Sequence, residues 1–226
     1  MVIKKAIENL INLRDEEFAR YQVSIDPIEG KLSKEFKDEI ITKSLECGYE
    51  QADKLLRKQK AIAGQIDIYE IAKHLGIKIE KKESHNAMEY VFFGTFEEPG
   101  IITLYEDNIR KGEELVKLHE IHDLANVNIE QIILAHEVFH YIESQDKNLY
   151  VNTLRIKLWK LGPYTHTSSL VCAGEIAGMA FAKRMLNLLF NPNILDVLLL
   201  YPHNKELSSQ LYKQIMDNIK KIHNHG

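Results

Sequence analysis

The chain has 226 residues, 45% of them hydrophobic and 27% charged, with a net charge of −4. That length and balance fit a soluble protein with one sizeable core, and the acidic balance gives no footprint for phosphate-backbone binding. Five prolines and eleven glycines leave no room for a long disordered tract, and two cysteines, Cys47 and Cys172, make no disulfide framework.

Along the chain, "MVIKKAIENL" places Ile3, Ala6, Ile7 and Leu10 at helical spacing with charges between them, which is not the pattern of a signal peptide. A cytoplasmic protein is the expectation. Residues 1–34 read as a helical appendage and residues 35–226 as the main domain. "SKEFKDEIITKSLECG" has a cap at Ser33 and a stop at Gly48, and "YEQADKLLRKQKAIAG" has a stop at Gly64. "DIYEIAKHLG" carries Asp67 and Glu70 as a capping box and ends at Gly76. Its likeness to the first half of a helix-turn-helix fails at the next segment, which alternates as a strand. Three strand-like stretches follow, "IKIEKKE", "AMEYVFFGTF" and "GIITLYE", and their short connections predict an antiparallel sheet. After Asp107 the chain reads as helices with a break at "LGPYTHTSS". The apolar run "MLNLLFNPNILDVLLLY" is interrupted by Asn187, Asn191, Pro192 and Asp196, so it is no membrane span. The order helices, sheet, helices predicts an α+β fold, mostly helical with a small three-stranded sheet.

The chemistry concentrates in "ILAHEVFHYIESQ". Asn128 and Gln131 form a cap signature, predicting a helix from about Ile129 to Glu143. Residues four apart share a helix face, so His136 and His140 can aim imidazole nitrogens at one ion. Glu137 stands beside the first ligand, where a carboxylate can take a proton from water that the ion has acidified. This is the H-E-x-x-H pattern of zinc peptidases. A catalytic zinc site has three protein ligands, and the downstream candidate is Glu175 in "SSLVCAGEIAGMAFAKRML", a helix that Ser168 or Ser169 can cap. Gly174 and Gly178 flank it. Each costs a helix about 1 kcal/mol, which calls for a packing reason such as close approach to the histidine helix. The structural alternative for Glu175 is an ion pair with Arg184 or Lys157. Tyr164 and His166 precede that helix as candidate stabilisers of a developing oxyanion, or as ordinary loop residues. Cys172 reads as a buried thiol or a further thiolate ligand, and His119 and His122 as a solvated helix face.

Taken together, "ILAHEVFHYI" and "EIAGMAFAKRML" resemble the ImmA/IrrE family of metallopeptidases over roughly residues 49–190. The chain departs from the family pattern at Gly178 and Met179, where the family has Ala and Asn. The resemblance implies a zincin-like fold, zinc held by His136, His140 and Glu175, and Glu137 as catalytic base. It also implies that "GIITLYE" lies beside the metal helix as an edge strand that holds an extended substrate. Members often cleave transcriptional repressors, so the partner that the resemblance implies is a protein of the helix-turn-helix regulator class, with no direct nucleic-acid or membrane partner. The rival expectation is a zincin-fold protein that binds such a regulator without cutting it.

Overall fold

The computed structural model describes residues 1–63, 67–84, 91–161 and 164–224, with the side chains of 59–63, 159–161, 165 and 222–224 left undescribed. Ten α-helices and five strands are assigned among the described residues. The N-terminal helices α1 (Ile3–Ile11) and α2 (Asp15–Ser24) precede a long α3 (Lys34–Ala63) and the short α4 (Ile68–His74). Strands β1 (Lys78–Lys82), β2 (Gly94–Glu97) and β3 (Ile101–Tyr105) form one sheet. Then come α5 (Glu106–Leu118), α6 (Ile129–Gln145), α7 (Tyr150–Thr153), a hairpin of β4 (Ile156–Leu161) and β5 (Tyr164–Ser168), and α8 (Val171–Met185), α9 (Ile194–Leu200) and α10 (Lys205–Asn224). The fold is α+β and mostly helical. No helix among the described residues is long and apolar enough to cross a membrane.

Three sequence expectations need correction. First, Gly48 does not stop a helix. Ser33 Oγ accepts from Phe36 N as expected, but α3 then runs unbroken through Gly48 to Ala63. The glycine is there for contact: a Cβ would lie 2.2 Å from the Ala177 carbonyl oxygen of α8. Gly64 lies outside the described residues. Second, the three-stranded sheet is mixed. Its order is β1-β3-β2, with β1 parallel and β2 antiparallel to β3. The central place goes to the strand that can be buried on both sides, since Ile102, Thr103 and Leu104 of β3 are all buried. Lysine-rich β1 takes an edge, where Glu80 pairs with Lys78 at 2.8 Å and Lys82 at 2.7 Å, a composition that blunts edge-to-edge association. Third, "IKLWKL" and "YTHTS" form the β4–β5 hairpin where the sequence reading had helices and a break.

Other local signals hold. Asp67 Oδ1 accepts from Tyr69 N at the start of α4. At its end Gly76 has φ +77°, with Ile77 N bonded to Ala72 O and Gly76 N to Lys73 O, a Schellman closure.

The layers run sheet, α6, α8, α3: α8 packs against α6 on one side and α3 on the other, and β2 and β3 cover α6. Helices α1 and α2 share the same hydrophobic core as α6 and α8, through Ile3, Ile7, Leu10 and Phe18. Asp15 in the first turn of α2 accepts from Lys183 of α8 (2.8 Å), Asn191 (2.9 Å) and Tyr49 of α3 (2.5 Å). Burial pushes the Asp15 carboxyl up, but these bonds outweigh it and hold it below the usual carboxylate range.

Candidate metal centre

Helix α6 starts at a built cap: Asn128 Oδ1 accepts from Gln131 N at 3.0 Å. Glu130 in its first turn pairs with Lys81 of β1 at 2.8 Å and accepts from the Tyr69 hydroxyl of α4, fixing the sheet against the helix. Leu134, Ala135, Val138 and Phe139 are fully buried, so the opposite face, with His136, Glu137, His140 and Glu143, turns to the cleft.

Helix α8 brings Glu175 to that face. Its N-terminus is not capped by Ser168 or Ser169; the N-cap position is Leu170, without a side-chain cap. Instead Asp26, far away in sequence after α2, accepts from the Cys172 N–H at 3.2 Å. Gly174 and Gly178 allow the close approach that the sequence predicted. A Cβ on Gly178 would lie 2.9 Å from His136 Nδ1, and one on Gly174 would lie 2.9 Å from Glu143 Oε1. The two ligand-bearing helices can meet at this distance only because both positions lack a side chain.

The result is a converging triad. Ligand atoms of His136, His140 and Glu175 all lie within 4.8 Å of one another. The two Nε2 atoms are 3.0 Å apart; Glu175 Oε2 is 3.4 Å from His136 Nε2 and its Oε1 is 3.7 Å from His140 Nε2. Tetrahedral coordination with bonds of about 2.0–2.1 Å separates ligand atoms by about 3.3 Å, so these spacings bracket what a zinc-sized ion requires. Among the described residues this is the one group of three or more metal-ligating side chains close enough to share an ion. Arg184, the structural alternative for Glu175, pairs with Asp53 at 2.8 Å instead.

The electrostatics point the same way. Burial pushes the Glu175 carboxyl up, but the His136 hydrogen bond and the charges of both imidazoles hold it down at about 2. Burial pushes His136 down, and the Glu175 bond and charge reverse that, carrying it to about 9. The Glu175 carboxylate is thus paired with a protonated His136 in the metal-free protein, and a divalent cation would take the same place with more charge.

Two residues that the sequence reading missed stand beside the triad, and the first of them supports it. Glu143 Oε2 lies 2.9 Å from His140 Nδ1, so a neutral His140 donates there and keeps its Nε2 lone pair for the ion. Glu143 follows His140 by three positions on a helix, a spacing that puts them on one face and was readable in the sequence. The second is Asp196, an exposed carboxylate of α9 that lines the cleft, read from sequence only as a break in an apolar run. Its signal was a lone acid in "NILDVLLLY".

Glu137 is buried and lies between two halves of a cleft that meet at its side chain. One half, of about 230 Å³, has walls of Phe93, Ile132, Met179, Leu195 and Leu199 beside the triad. The other is polar, with Glu98, Ser144, Lys147 and Asn152. Strand β2 closes against Glu137 at Gly94, where a Cβ would lie 3.2 Å from Oε1 and 2.5 Å from Ile133 Cγ2. The expected edge strand "GIITLYE" is β3, in the centre of the sheet; the edge beside α6 is β2.

The remaining candidates are elsewhere. Tyr164 and His166 sit on the β4–β5 hairpin, both exposed, Tyr164 at 74%, and neither lines either half of the cleft. The Cys172 thiol is buried and held protonated by that burial and by Asp26. His119 meets the Tyr201 ring edge-on at 6.4 Å. No family model, curated protein or solved structure matches the chain.

Proposed function

We propose that the protein is a zinc-dependent endopeptidase acting on a protein substrate, with a transcriptional regulator as the substrate class that the motif resemblance favours. The observation that carries this reading is the placement of Glu137: outside the converging triad, next to it, and at the junction of the two cleft halves. A protein that only held a metal would have no use for a carboxylate there. The donor set fits zinc, with two imidazole nitrogens and one carboxylate oxygen, although the same donors accept Mn²⁺ and Fe²⁺.

Each side chain has a distinct task in this reading. His136 and His140 offer Nε2 and Glu175 a carboxylate oxygen, while Glu143 fixes the His140 tautomer. When bound, zinc would lower the pKa of water and polarise a carbonyl oxygen. Glu137 takes the proton of the attacking water on its carboxylate and delivers it to the leaving amide nitrogen. The apolar half of the cleft excludes water on one side of the scissile bond. An extended substrate would pair with the edge of β2 that faces away from β3, and the lack of a side chain on Gly94 lets the main chain approach Glu137.

The test combines metal content with cleavage. Purified protein should hold about one zinc. Glu137→Gln should keep that zinc and lose activity on a mixed peptide library by at least about 100-fold. His140→Ala should lose both. A zinc-loaded wild type that leaves the whole library intact would replace this reading by that of a binding protein that does not cut.

A further inference from the structure

The apolar half of the cleft ends in an acid that the proposed chemistry leaves without a task. Asp196 is exposed to this space on the first turn of α9, among walls of Phe93, Ile132, Met179, Leu195 and Leu199. Its carboxylate makes no hydrogen bond or ion pair among the described residues, whereas Asp15, Asp53, Asp107 and Glu130 all have partners. Among the described residues no lysine or arginine lines this half of the cleft, and the other carboxylates that do, Glu137 and Glu175, already have roles. Asp196 is also not part of the converging ligand set. A carboxylate at the end of an apolar wall, with the neighbouring His136 already engaged by Glu175, can pair with a cation that a ligand brings.

Resting on the peptidase reading, we infer that this half of the cleft is a specificity pocket for a lysine or arginine side chain next to the scissile bond, with Asp196 as the residue that selects it. The shape and chemistry match one ligand class. The aliphatic stem of a basic side chain packs along Ile132, Met179 and Leu195, and its charged head reaches the carboxylate, as such side chains do wherever an apolar wall ends in a polar tip. An apolar side chain would fill the walls but leave Asp196 buried and unpaired, and a site built to pair a charge rejects the analogue that lacks it. An acidic side chain would be repelled by three carboxylates. A small amine would pair with Asp196 but leave the apolar walls uncovered.

Binding and cleavage test this separately. The probes are an acetylated, amidated Ala/Ser heptapeptide with one central arginine and its twin with norleucine. Binding is measured by calorimetry on zinc-loaded Glu137→Gln protein, which does not consume them. The arginine peptide should bind about tenfold or more tighter than its twin, and adding Asp196→Asn should erase that difference with zinc content unchanged. Adding Asp196→Lys instead should favour a glutamate peptide. Equal binding of the two peptides, or no binding of the arginine peptide, overturns the pocket assignment whether or not the protein cleaves anything. In the cleavage arm, the wild type should cut the mixed library next to lysine or arginine. Cleavage without that preference would also sink the pocket while leaving the peptidase standing. Selective binding of the arginine peptide with no library cleavage by the wild type would keep the pocket and sink the peptidase.

Discussion

Helix α8 meets α3 along one face and α6 along the other, and glycine closes the gap on both. On the α3 side the glycine belongs to the partner: Gly48 faces Ala177, Ala180 and Phe181. What it touches there is largely backbone, with the Ala177 carbonyl oxygen 2.2 Å and the Phe181 nitrogen 2.9 Å from a virtual Cβ. On the α6 side the glycines are in α8 itself, and what Gly174 and Gly178 touch is the reactive end of Glu143 and His136. The same device therefore sets a helix spacing on one face and the position of polar side chains on the other. Backbone cannot yield to an added methyl group, whereas an imidazole can swing away and lose its aim.

The difference is open to direct attack. Gly48→Ala should lower the free energy of unfolding by about 2–3 kcal/mol, because the cost of overpacking against α8 backbone exceeds the gain of about 1 kcal/mol in helix propensity. Protein that remains folded should take up zinc normally. Gly178→Ala should do the reverse. Its stability in urea should stay within about 1 kcal/mol of the parent, since the propensity gain offsets the displaced ring, while zinc affinity falls by about tenfold or more. Finding that Gly48→Ala weakens zinc binding more than Gly178→Ala would end the division between a spacing face and a site face.

Next in size is Glu143, which sharpens the comparison by touching the site without touching the helix spacing. Its carboxylate is held between His140 Nδ1 and the bare surface of Gly174. Glu143→Ala removes the acceptor that fixes the His140 tautomer, and zinc affinity should drop about tenfold, the low end for such partners, with thermal stability of the metal-free protein nearly unchanged. Competition with a calibrated chelator measures it. An unchanged affinity would show that the ring is held by packing alone.

Much of this was legible in the sequence because it is local. The cap at Asn128, the turn at Gly76 and the i, i+4 histidine pair depend on residues a few positions apart, and the structure has all three. The costly glycines of α8 called for a close neighbour, and they have one. The misreadings arise where distant segments decide. Gly48 looks like a stop because a lone glycine weakens a helix, yet its helix is completed by packing on α8, far along the chain. Asp26 caps α8 from 146 positions away, so no window around Ser168 and Ser169 contains the answer. Short connections argued for an antiparallel sheet, but the strand able to bury both faces inserted itself between the other two. The β4–β5 hairpin was within reach, since "IKLWKL" alternates with period two and Gly162-Pro163 is a turn signal. Asp196 was hidden by its role in another question, whether an apolar run spans a membrane.

The smallest expected effect separates glycine as a spacer from glycine as a conformer. Helices α4, α5 and α8 all end in a left-handed residue, but three different ones: Gly76 at φ +77°, Glu120 at φ +50° and Asn187 at φ +52°. Each closes the same pattern; in α5, Ile121 N bonds to Val116 O at 3.0 Å and Glu120 N to Lys117 O at 3.2 Å. Glycine takes this conformation freely, asparagine tolerates it, and a glutamate resists it through its Cβ by about 1 kcal/mol. Glu120 is exposed and lines neither half of the cleft. Glu120→Gly should therefore stabilise the protein by somewhat under about 1 kcal/mol, the added chain entropy of the unfolded state taking back part of the relief. Zinc affinity and the response to Gly178→Ala should be untouched. A destabilised Glu120→Gly variant would mean that the glutamate side chain supports the turn, and that backbone preference does not govern this helix end.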